Sequence, residues 1–292
     1  MTVERVHAPI RSALFTPGTQ PDRLRKATQS GADICIFDLE DSVPAARVDD
    51  ARRIVAGALR ETGAGHHVWV RVHAASDRRM VDDIAALPLD RLEGIVLPKA
   101  DDADAVEACA SAVAAAGGPH HLPIIAIIES AAGVLHGETI ARAGATRGLA
   151  LGRFDLAADL GIEPHPRTPA LSAARAVIVL ASAAARLWPP LDSPWLKVRD
   201  LDGLREAGVA ARRDGFGGML LIHPSHVEPV NAIFSPTPEE TGWARGIVAA
   251  SSAAEAQGSG AFTRDGEMVD EAVVRRARRI LGVGDAAKEG SA

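Results

Sequence analysis

The sequence predicts an α/β fold, a TIM-type (β/α)8 barrel with a C-terminal helix-hairpin-helix extension. Eight short apolar runs follow one another along the chain, and Ala-, Leu- and Arg-rich stretches with helical spacing of their apolar residues lie between them. Strand–helix alternation repeated in this way is typical of a parallel sheet closed into a barrel. A doubly wound open sheet is the alternative, but it more often has a Gly-rich phosphate turn after its first strand. The segment 16–19, Thr-Pro-Gly-Thr, is not such a turn.

The elements of the barrel follow in chain order. The predicted strands are residues 12–16, 33–38, 68–72, 94–98, 123–128, 148–152, 195–198 and 219–222. The predicted helices between them include residues 21–30, 47–61 and 103–116, where the apolar residues recur at the spacing of an amphipathic helix. We therefore assign residues 1–227 to the barrel.

The remaining residues, 228–292, have a different pattern. Pro238 opens a helix that runs to about residue 257, and Gly258-Ser259-Gly260 then breaks the pattern. A short hairpin over 261–269, turning at Asp265-Gly266, precedes a final helix over 271–281. An extension of this size has too few apolar residues for a core of its own, so we expect it to pack on its barrel or on a neighbouring subunit.

Composition excludes several classes of partner. The net charge of −6, the 3% of aromatic residues and the absence of tyrosine offer neither a basic surface nor stacking side chains for nucleic acid. No apolar stretch is long enough to span a membrane, and the first residues lack the layout of a signal peptide, so we expect a cytoplasmic protein. Cys35 and Cys109 lie far apart, and we expect both to be buried and reduced. A small-molecule substrate is the expected partner.

Charged residues follow most of the predicted strands. In a barrel of this kind the active site is built at the carboxyl ends of the strands. The residues found there are Asp38, Glu40 and Asp41 after the second strand, Arg71 after the third, Lys99 after the fourth, Glu129 after the fifth, Asp155 after the sixth and His223 after the eighth. So many charges at one end of a barrel predict a mouth lined for catalysis.

Glu129 and Asp155 are the predicted metal ligands. They follow neighbouring strands, and two carboxylates that lie close together repel each other unless a cation lies between them. Mg²⁺ suits this position because it binds one or two carboxylates, retains several water molecules and accepts substrate oxygens; Mn²⁺ is the alternative. The competing interpretation is that each acid is isolated or pairs with Arg71 or Lys99.

The two cations at the mouth have separate predicted roles. Arg71 offers a fork of N–H donors for two-point contact with a substrate carboxylate. Lys99 is surrounded by acids that keep it charged, which favours an electrostatic role over that of a Schiff-base nucleophile. Asp38, Glu40 and Asp41 either reach the metal through water or hold these two cations in place, and His223 serves either the site or the local structure.

At these residues the chain resembles the HpcH/HpaI aldolase and citrate lyase family, and in particular its citrate lyase β-subunit-like branch. The segments that carry the resemblance are RSALFTPG at 11–18, FDLEDSVP at 37–44, WVRV at 69–72, LPK at 97–99, IESAAGV at 128–134, DLAADLG at 155–161, IHPSHV at 222–227 and DGEMVD at 265–270. The resemblance implies a barrel, often a trimer, with Mg²⁺ on Glu129 and Asp155 and a substrate carboxylate on Arg71; a homo-hexamer is the alternative assembly. It further implies that Asp270 is lent by a neighbouring subunit as an acid or base.

The chain departs from the family pattern at two places. Phe154, preceded by Arg153, stands where family members usually carry an acid directly before the aspartate of the sixth strand. Gln20 stands where an arginine commonly precedes Pro21, which weakens the case for a substrate carried on coenzyme A.

The resulting expectation is a Mg²⁺-dependent carbon–carbon lyase, acting on a 2-hydroxy acid acyl-CoA thioester such as malyl- or citramalyl-CoA, with Glu40, Asp41 and Lys99 helping Arg71 to bind the substrate. The alternatives are a CoA-independent 2-oxo acid aldolase of the HpcH/HpaI type, suggested by Gln20, and a catalytically inactive binding or assembly subunit, suggested by Phe154.

Overall fold

The computed structural model describes residues 10–63, 66–166, 168–256, 262–264 and 266–289. These residues form two compact units. The first extends from Ile10 to Phe234, and the second contains the described residues from Ser235 onward.

The first unit is built on a closed barrel of eight parallel strands. The strands are β1 (Ser12–Pro17), β2 (Ile34–Asp38), β3 (Val68–Arg71), β4 (Gly94–Leu97), β5 (Ile124–Ile128), β6 (Thr146–Leu151), β7 (Leu191–Asp192) and β8 (Gly218–Leu221). Each strand pairs with the next in the chain, and β8 pairs with β1, so no edge is left open. The predicted (β/α)8 fold is confirmed.

Helices connect the strands and cover the outside of the barrel. They are α1 (Pro21–Ala27), α2 (Val48–Glu61), α3 (Arg79–Ala86), α4 (Ala103–Ala115), α5 (Ala131–Leu135), α6 (Gly137–Arg142), α7 (Arg153–Asp159), α8 (Pro169–Ala184), α9 (Leu201–Asp214) and α10 (Val227–Phe234). In α2 the buried residues include Val48, Val55 and Leu59, one stripe of an amphipathic helix. The side chain of Asp102 accepts a hydrogen bond from the backbone N–H of Ala105 and caps α4.

Alternate residues of the strands point to two different cores. Ile36 faces the barrel interior, whereas its neighbour Phe37 packs in the layer between sheet and helices. Trp69 is the largest fully buried side chain, and it fills the interior because Gly94 leaves room for it. A Cβ atom on Gly94 would lie 2.3 Å from the Trp69 ring. The barrel is therefore closed by packed side chains at its centre, and only its ends can hold a site.

The predicted seventh strand, residues 195–198, is wrong. The observed strand β7 comprises Leu191 and Asp192 alone, where Leu191 pairs with Ala150 and Gly218. Residues 195–198 are outside any strand, and Leu196 is 50% exposed. The observed strand directly follows two prolines. Because proline has no backbone N–H and is rare inside strands, the sequence around Leu191 does not show a recognisable strand pattern.

The second unit contains the predicted helix-hairpin-helix elements. They are α11 (Pro238–Ala256), β9 (Phe262–Arg264), β10 (Glu267–Val269) and α12 (Glu271–Glu289), and β9 pairs antiparallel with β10. A small core of Ala244, Ile247, Val269, Val274 and Ala277 joins these elements. The helix α12 continues past its predicted end at residue 281. The predicted break at 258–260 and the turn residue Asp265 lie outside the described residues.

Two further sequence expectations concern the environment of the chain. Cys35 and Cys109 are both free and buried, as predicted, and burial raises the pKa of their thiols to about 11 and about 12. Among the described helices, none is both long enough and apolar enough to cross a membrane.

Candidate active site

A cavity of about 380 Å³ opens at the carboxyl ends of the barrel strands. Side chains from several strand ends line it, among them Phe15, Asp38, Arg71, Glu129 and Asp155. The predicted mouth residues of the second, third, fifth and sixth strands therefore meet at one place, as expected from parallel strands that end on the same side.

Asp38 and Arg71 form a buried two-point ion pair at this mouth. The register of β2 and β3 places the two residues side by side. The Nε and Nη2 atoms of Arg71 each donate to one Asp38 oxygen at 2.7 Å. Burial would raise the pKa of Asp38, but the charge and hydrogen bonds of Arg71 outweigh it and hold the pKa below its ordinary value. Both groups are therefore charged.

Arg71 is surrounded by further groups that favour its charge. Its Nη1 atom lies 3.0 Å from an Asp41 oxygen and 3.2 Å from Glu40 Oε2, and its guanidinium lies 4.6 Å from the Phe15 ring centre. Burial would lower the pKa of Arg71, but these acids, Asp38 foremost, raise it. Because Asp38 occupies the edge formed by Nε and Nη2, a substrate carboxylate would have to use the N–H groups of Nη1 and Nη2 that remain.

Lys99 contacts the same acids and Glu129. Its Nζ atom forms an ion pair with Glu40 and lies 3.7 Å from Asp41. Partial burial would lower the pKa of Lys99, but the hydrogen bond to Glu40 and the nearby negative charges together have the larger effect. The pKa is therefore raised above its ordinary value, and the amine is protonated. The backbone of Lys99 is left-handed, with φ of 49°, and its N–H donates to Glu129 Oε1 at 2.8 Å.

Glu129 is a carboxylate held in an unfavourable environment. It is 6% exposed, and burial together with the negative charge of Asp155 raises its pKa to about 8. Ile128 pairs with Leu151 across β5 and β6, and the next residues, Glu129 and Gly152, then face each other. A Cβ atom on Gly152 would lie 2.3 Å from Glu129 Oε2, so glycine alone makes room for the carboxylate.

These two carboxylates fit a divalent cation. Glu129 is buried beside Asp155, which is exposed in the first turn of α7 and lines the same cavity. A cation between them would remove the repulsion that raises the pKa of Glu129. In the described part of the chain no group of three or more His, Cys, Asp or Glu side chains could hold a metal ion. Mg²⁺ commonly binds one or two carboxylates and retains water molecules or substrate oxygens as its other ligands.

Asp270 belongs to the second unit. It is exposed at the start of α12, and its Oδ1 atom accepts hydrogen bonds from the backbone N–H groups of Ala272 and Val273, at 2.9 and 3.1 Å. Asp270 is therefore the N-cap residue of α12. The other six predicted residues, Arg71, Glu40, Asp41, Lys99, Glu129 and Asp155, all belong to the barrel unit.

Sequence reasoning missed two contributors to the cavity. Phe15 supports Arg71 through a cation–π contact, and Gly152 leaves space for Glu129. A signal for Gly152 was present, because it directly follows the sixth apolar run, but a glycine there is indistinguishable from one that ends a strand. For His223 the structure favours the local role, since its Nδ1 atom accepts a hydrogen bond from the Ser225 backbone N–H.

Comparison with known proteins matches nearly the whole chain. The family model described as HpcH/HpaI aldolase/citrate lyase matches residues 11–224. The chain is 34% identical to a (3S)-malyl-CoA thioesterase of Cereibacter sphaeroides, over 95% of each protein. It is 32% identical to citrate lyase subunit beta of Leuconostoc mesenteroides subsp. cremoris, over 94% of this chain and 93% of that protein. A crystal structure of CitE from Mycobacterium tuberculosis, in complex with magnesium, acetoacetate and coenzyme A, aligns with a TM-score of 0.77 and 31% identity, over 96% of this chain and 99% of that one.

Proposed function

Because the chain belongs to the HpcH/HpaI aldolase/citrate lyase family, we propose that it is a Mg²⁺-dependent carbon–carbon lyase acting on an acyl-CoA thioester of a 2-hydroxy acid, such as malyl- or citramalyl-CoA. The observation that carries the proposal is the carboxylate pair of Glu129 and Asp155 in the cavity that Arg71 also lines. The names of the relatives support it, since they include a malyl-CoA thioesterase and a lyase subunit, and the CitE structure contains both magnesium and coenzyme A.

In this proposal Glu129 and Asp155 hold the metal. Bound there, Mg²⁺ would polarise the oxygen next to the substrate carboxylate and stabilise negative charge that develops on it; Mn²⁺ could replace it. The Lys99 backbone N–H, which donates to Glu129 Oε1, orients the carboxylate. Gly152 has no side chain, and this leaves room for the other carboxylate oxygen, Glu129 Oε2.

Arg71 and Lys99 bind the acid substrate. Arg71 would contact a substrate carboxylate through the N–H groups that its acidic neighbours leave, while Asp38 positions the guanidinium. Lys99 is protonated and paired with Glu40, which suits electrostatic attraction of the substrate and does not suit a Schiff base. Glu40 and Asp41 therefore serve to fix these two cations beside the cavity.

A general acid or base must exchange a proton with the acetyl fragment when the bond breaks. We assign this role to Asp270 of a neighbouring subunit, so that the working form is a homotrimer or hexamer. The exposed carboxylate of Asp270 is compatible with such a role. We also propose a cytoplasmic location, which the two buried free thiols support because reduced cysteines are typical of that compartment.

The decisive experiment is a cleavage assay with malyl-CoA and citramalyl-CoA in the presence of Mg²⁺ or EDTA. We expect acetyl-CoA together with glyoxylate from the first substrate and pyruvate from the second, with activity only in Mg²⁺. A thiol reagent added to the same assay would detect free CoA and so report thioester hydrolysis. Turnover that persists in EDTA or in Glu129→Ala would contradict the metal assignment.

A CoA-independent aldolase is the second candidate, and Gln20 is the observation that favours it. Gln20 directly precedes α1 and is uncharged, so this position offers no cation to the phosphates of a carrier. Retro-aldol cleavage of free 4-hydroxy-2-oxo acids, measured beside the thioesters, separates the two. Preference for the free acids would favour the aldolase.

A further inference from the structure

A second, larger cavity of about 1020 Å³ lies in the barrel unit. We call it the α7–α9 cavity, because α7, α8, α9 and the segment after β7 contribute its lining. Its walls combine apolar side chains, including Phe154, Trp195 and Leu196, with charged ones, including Arg153, Arg175 and Asp192. The volume is that of a small-molecule site, and the lining offers both apolar contacts and charged groups to an occupant. Nothing in the proposed lyase reaction uses it.

Arg153 is a buried cation in this cavity that forms no ion pair of its own with a described residue. It is 5% exposed, and its guanidinium stacks on the Phe154 ring at 4.8 Å from the ring centre. Among the described residues no ion pair includes it, and its Nε atom is buried without a hydrogen-bond partner. The nearby charge of Asp192 favours the charged form of Arg153, but Asp192 and Asp214 are themselves paired with Arg175, Asp214 at 3.0 Å. A buried charge without a partner is costly in free energy unless something else supplies the opposite charge.

Trp195 places a second unsatisfied donor on the same cavity. Its indole Nε1 atom is buried and has no hydrogen-bond partner among the described residues. The ring has little freedom to turn away, since a Cβ atom on Gly203 would already lie 2.5 Å from it. Two side chains with a buried, unpaired N–H donor, one of them cationic, thus line one cavity whose walls are partly apolar. An oxygen anion attached to an apolar body satisfies both requirements.

We propose that the α7–α9 cavity binds an organic carboxylate, with Arg153 and Trp195 as the donors to its carboxylate group. Phe154 lines this cavity and the active-site cavity alike, so an occupant that moves its ring reaches the catalytic side. The departure from the family pattern at residues 153–154 thereby acquires a function of its own. The carboxylate has two sources, either the distal end of an extended substrate or a separate effector acid.

Calorimetry on the full chain tests the site without any turnover. The protein carries Glu129→Gln and is kept in EDTA, so that binding does not depend on the proposed metal. The probes are phenylacetate, 4-methylpentanoate and adipate, with benzyl alcohol as the uncharged comparator and inorganic phosphate as the anion without an apolar body. We expect saturable binding of at least one carboxylate and none of benzyl alcohol.

Three variants decide where the acid binds. Arg153→Gln is expected to weaken binding about tenfold or more, which is the usual effect of losing a charged hydrogen bond. Arg205→Gln, an equal change of charge on the exposed face of α9, is expected to change nothing. Arg71→Gln is expected to retain binding, which separates this cavity from the catalytic one. The proposal is overturned if no carboxylate binds, or if Arg153→Gln and Arg205→Gln bind equally well.

Two additional measurements test whether Arg153→Gln is folded and whether Trp195 is a donor to the bound acid. Melting temperatures show whether Arg153→Gln is folded, and Trp195→Phe, which keeps the ring and loses the N–H, is a milder variant expected to weaken binding several-fold. If Trp195→Phe binds as tightly as its parent, the assignment of this donor is wrong. In steady-state assays of the Mg²⁺ form, competitive inhibition by the bound acid identifies the site with the substrate's distal end, and non-competitive behaviour identifies an effector. If the acid binds but the protein has no lyase activity, the proposed function is refuted and the proposed binding site is not.

Discussion

Glu129 shows how one residue can lower stability and enable binding. Its pKa of about 8 means that the folded protein retains the proton well above the ordinary value of 4.5. The metal-free protein therefore loses stability as the pH rises from about 4.5 to 8, because the unfolded chain releases this proton while the folded protein still holds it. Affinity for Mg²⁺ should rise over the same interval, since the metal binds the ionised form.

We predict that Glu129→Gln abolishes Mg²⁺ binding and stabilises the metal-free protein. The amide keeps an acceptor for the Lys99 N–H but carries no charge, so at pH 8 to 9 we expect a gain on the order of 2 kcal/mol. Chemical denaturation in EDTA measures the gain, and calorimetry with MgCl₂ measures the binding. Glu138→Gln, an exposed acid on α6, is the control and should alter neither quantity. A less stable Glu129→Gln protein would show that the burial of Glu129 is not unfavourable.

We predict the opposite effect on stability for Asp38→Asn. This change leaves the buried Arg71 guanidinium without its two-point partner, and breaking such a pair costs roughly 3 kcal/mol. Substrate binding should weaken as well, because Arg71 is no longer held in position. Asp41→Asn removes an acid that contacts the same guanidinium but is half exposed, so it should cost less than about 1 kcal/mol. Equal losses in the two variants would mean that the two-point geometry has no special importance.

At the scale of elements, the junction between β6 and α7 would set the position of the proposed metal. We predict that Gly152→Ala retains the barrel but lowers Mg²⁺ affinity about tenfold or more, because the added methyl group must displace the Glu129 carboxylate. Gly144→Ala, before the same strand, meets no atom within 4 Å and is the matched control. Both are measured by calorimetry with MgCl₂. Unchanged affinity in Gly152→Ala would place the cation elsewhere.

The strands also show how far the sequence predicts this site. Asp38, Arg71 and Glu129 each follow a short apolar run, and a parallel barrel brings such residues together whatever the side-chain details. The seventh strand was misplaced because only Leu191 and Asp192 pair, too short a run to be recognised after two prolines. The left-handed backbone of Lys99 and the occupation of the Arg71 fork by Asp38 depend on tertiary contacts, which no local pattern contains.

At the scale of the whole molecule, the cavity at the barrel mouth contains acids and cations that are largely committed to one another. Asp38, Glu40 and Asp41 form ion pairs with Arg71 and Lys99, and in our proposal Glu129 and Asp155 are the carboxylates that remain for a metal. The proton required by the chemistry must then come from another group. In our proposal an aspartate lent by a second copy of the chain would meet this need, and a complete site would then be a property of the oligomer.

We therefore predict that two inactive variants restore activity when their subunits mix. Asp270→Asn keeps the metal ligands and loses the proposed acid, whereas Glu129→Gln keeps Asp270 and loses a metal ligand. If Asp270 acts on a neighbouring subunit, random exchange in an equimolar mixture gives roughly a quarter of the wild-type sites. Each such site combines Glu129 of an Asp270→Asn subunit with Asp270 of a neighbouring Glu129→Gln subunit. Sedimentation first establishes that the chain is oligomeric, and malyl-CoA cleavage is then followed after exchange in mild denaturant. The mixture before exchange is the control, and lasting inactivity after verified exchange would place Asp270 on its own subunit or outside the reaction.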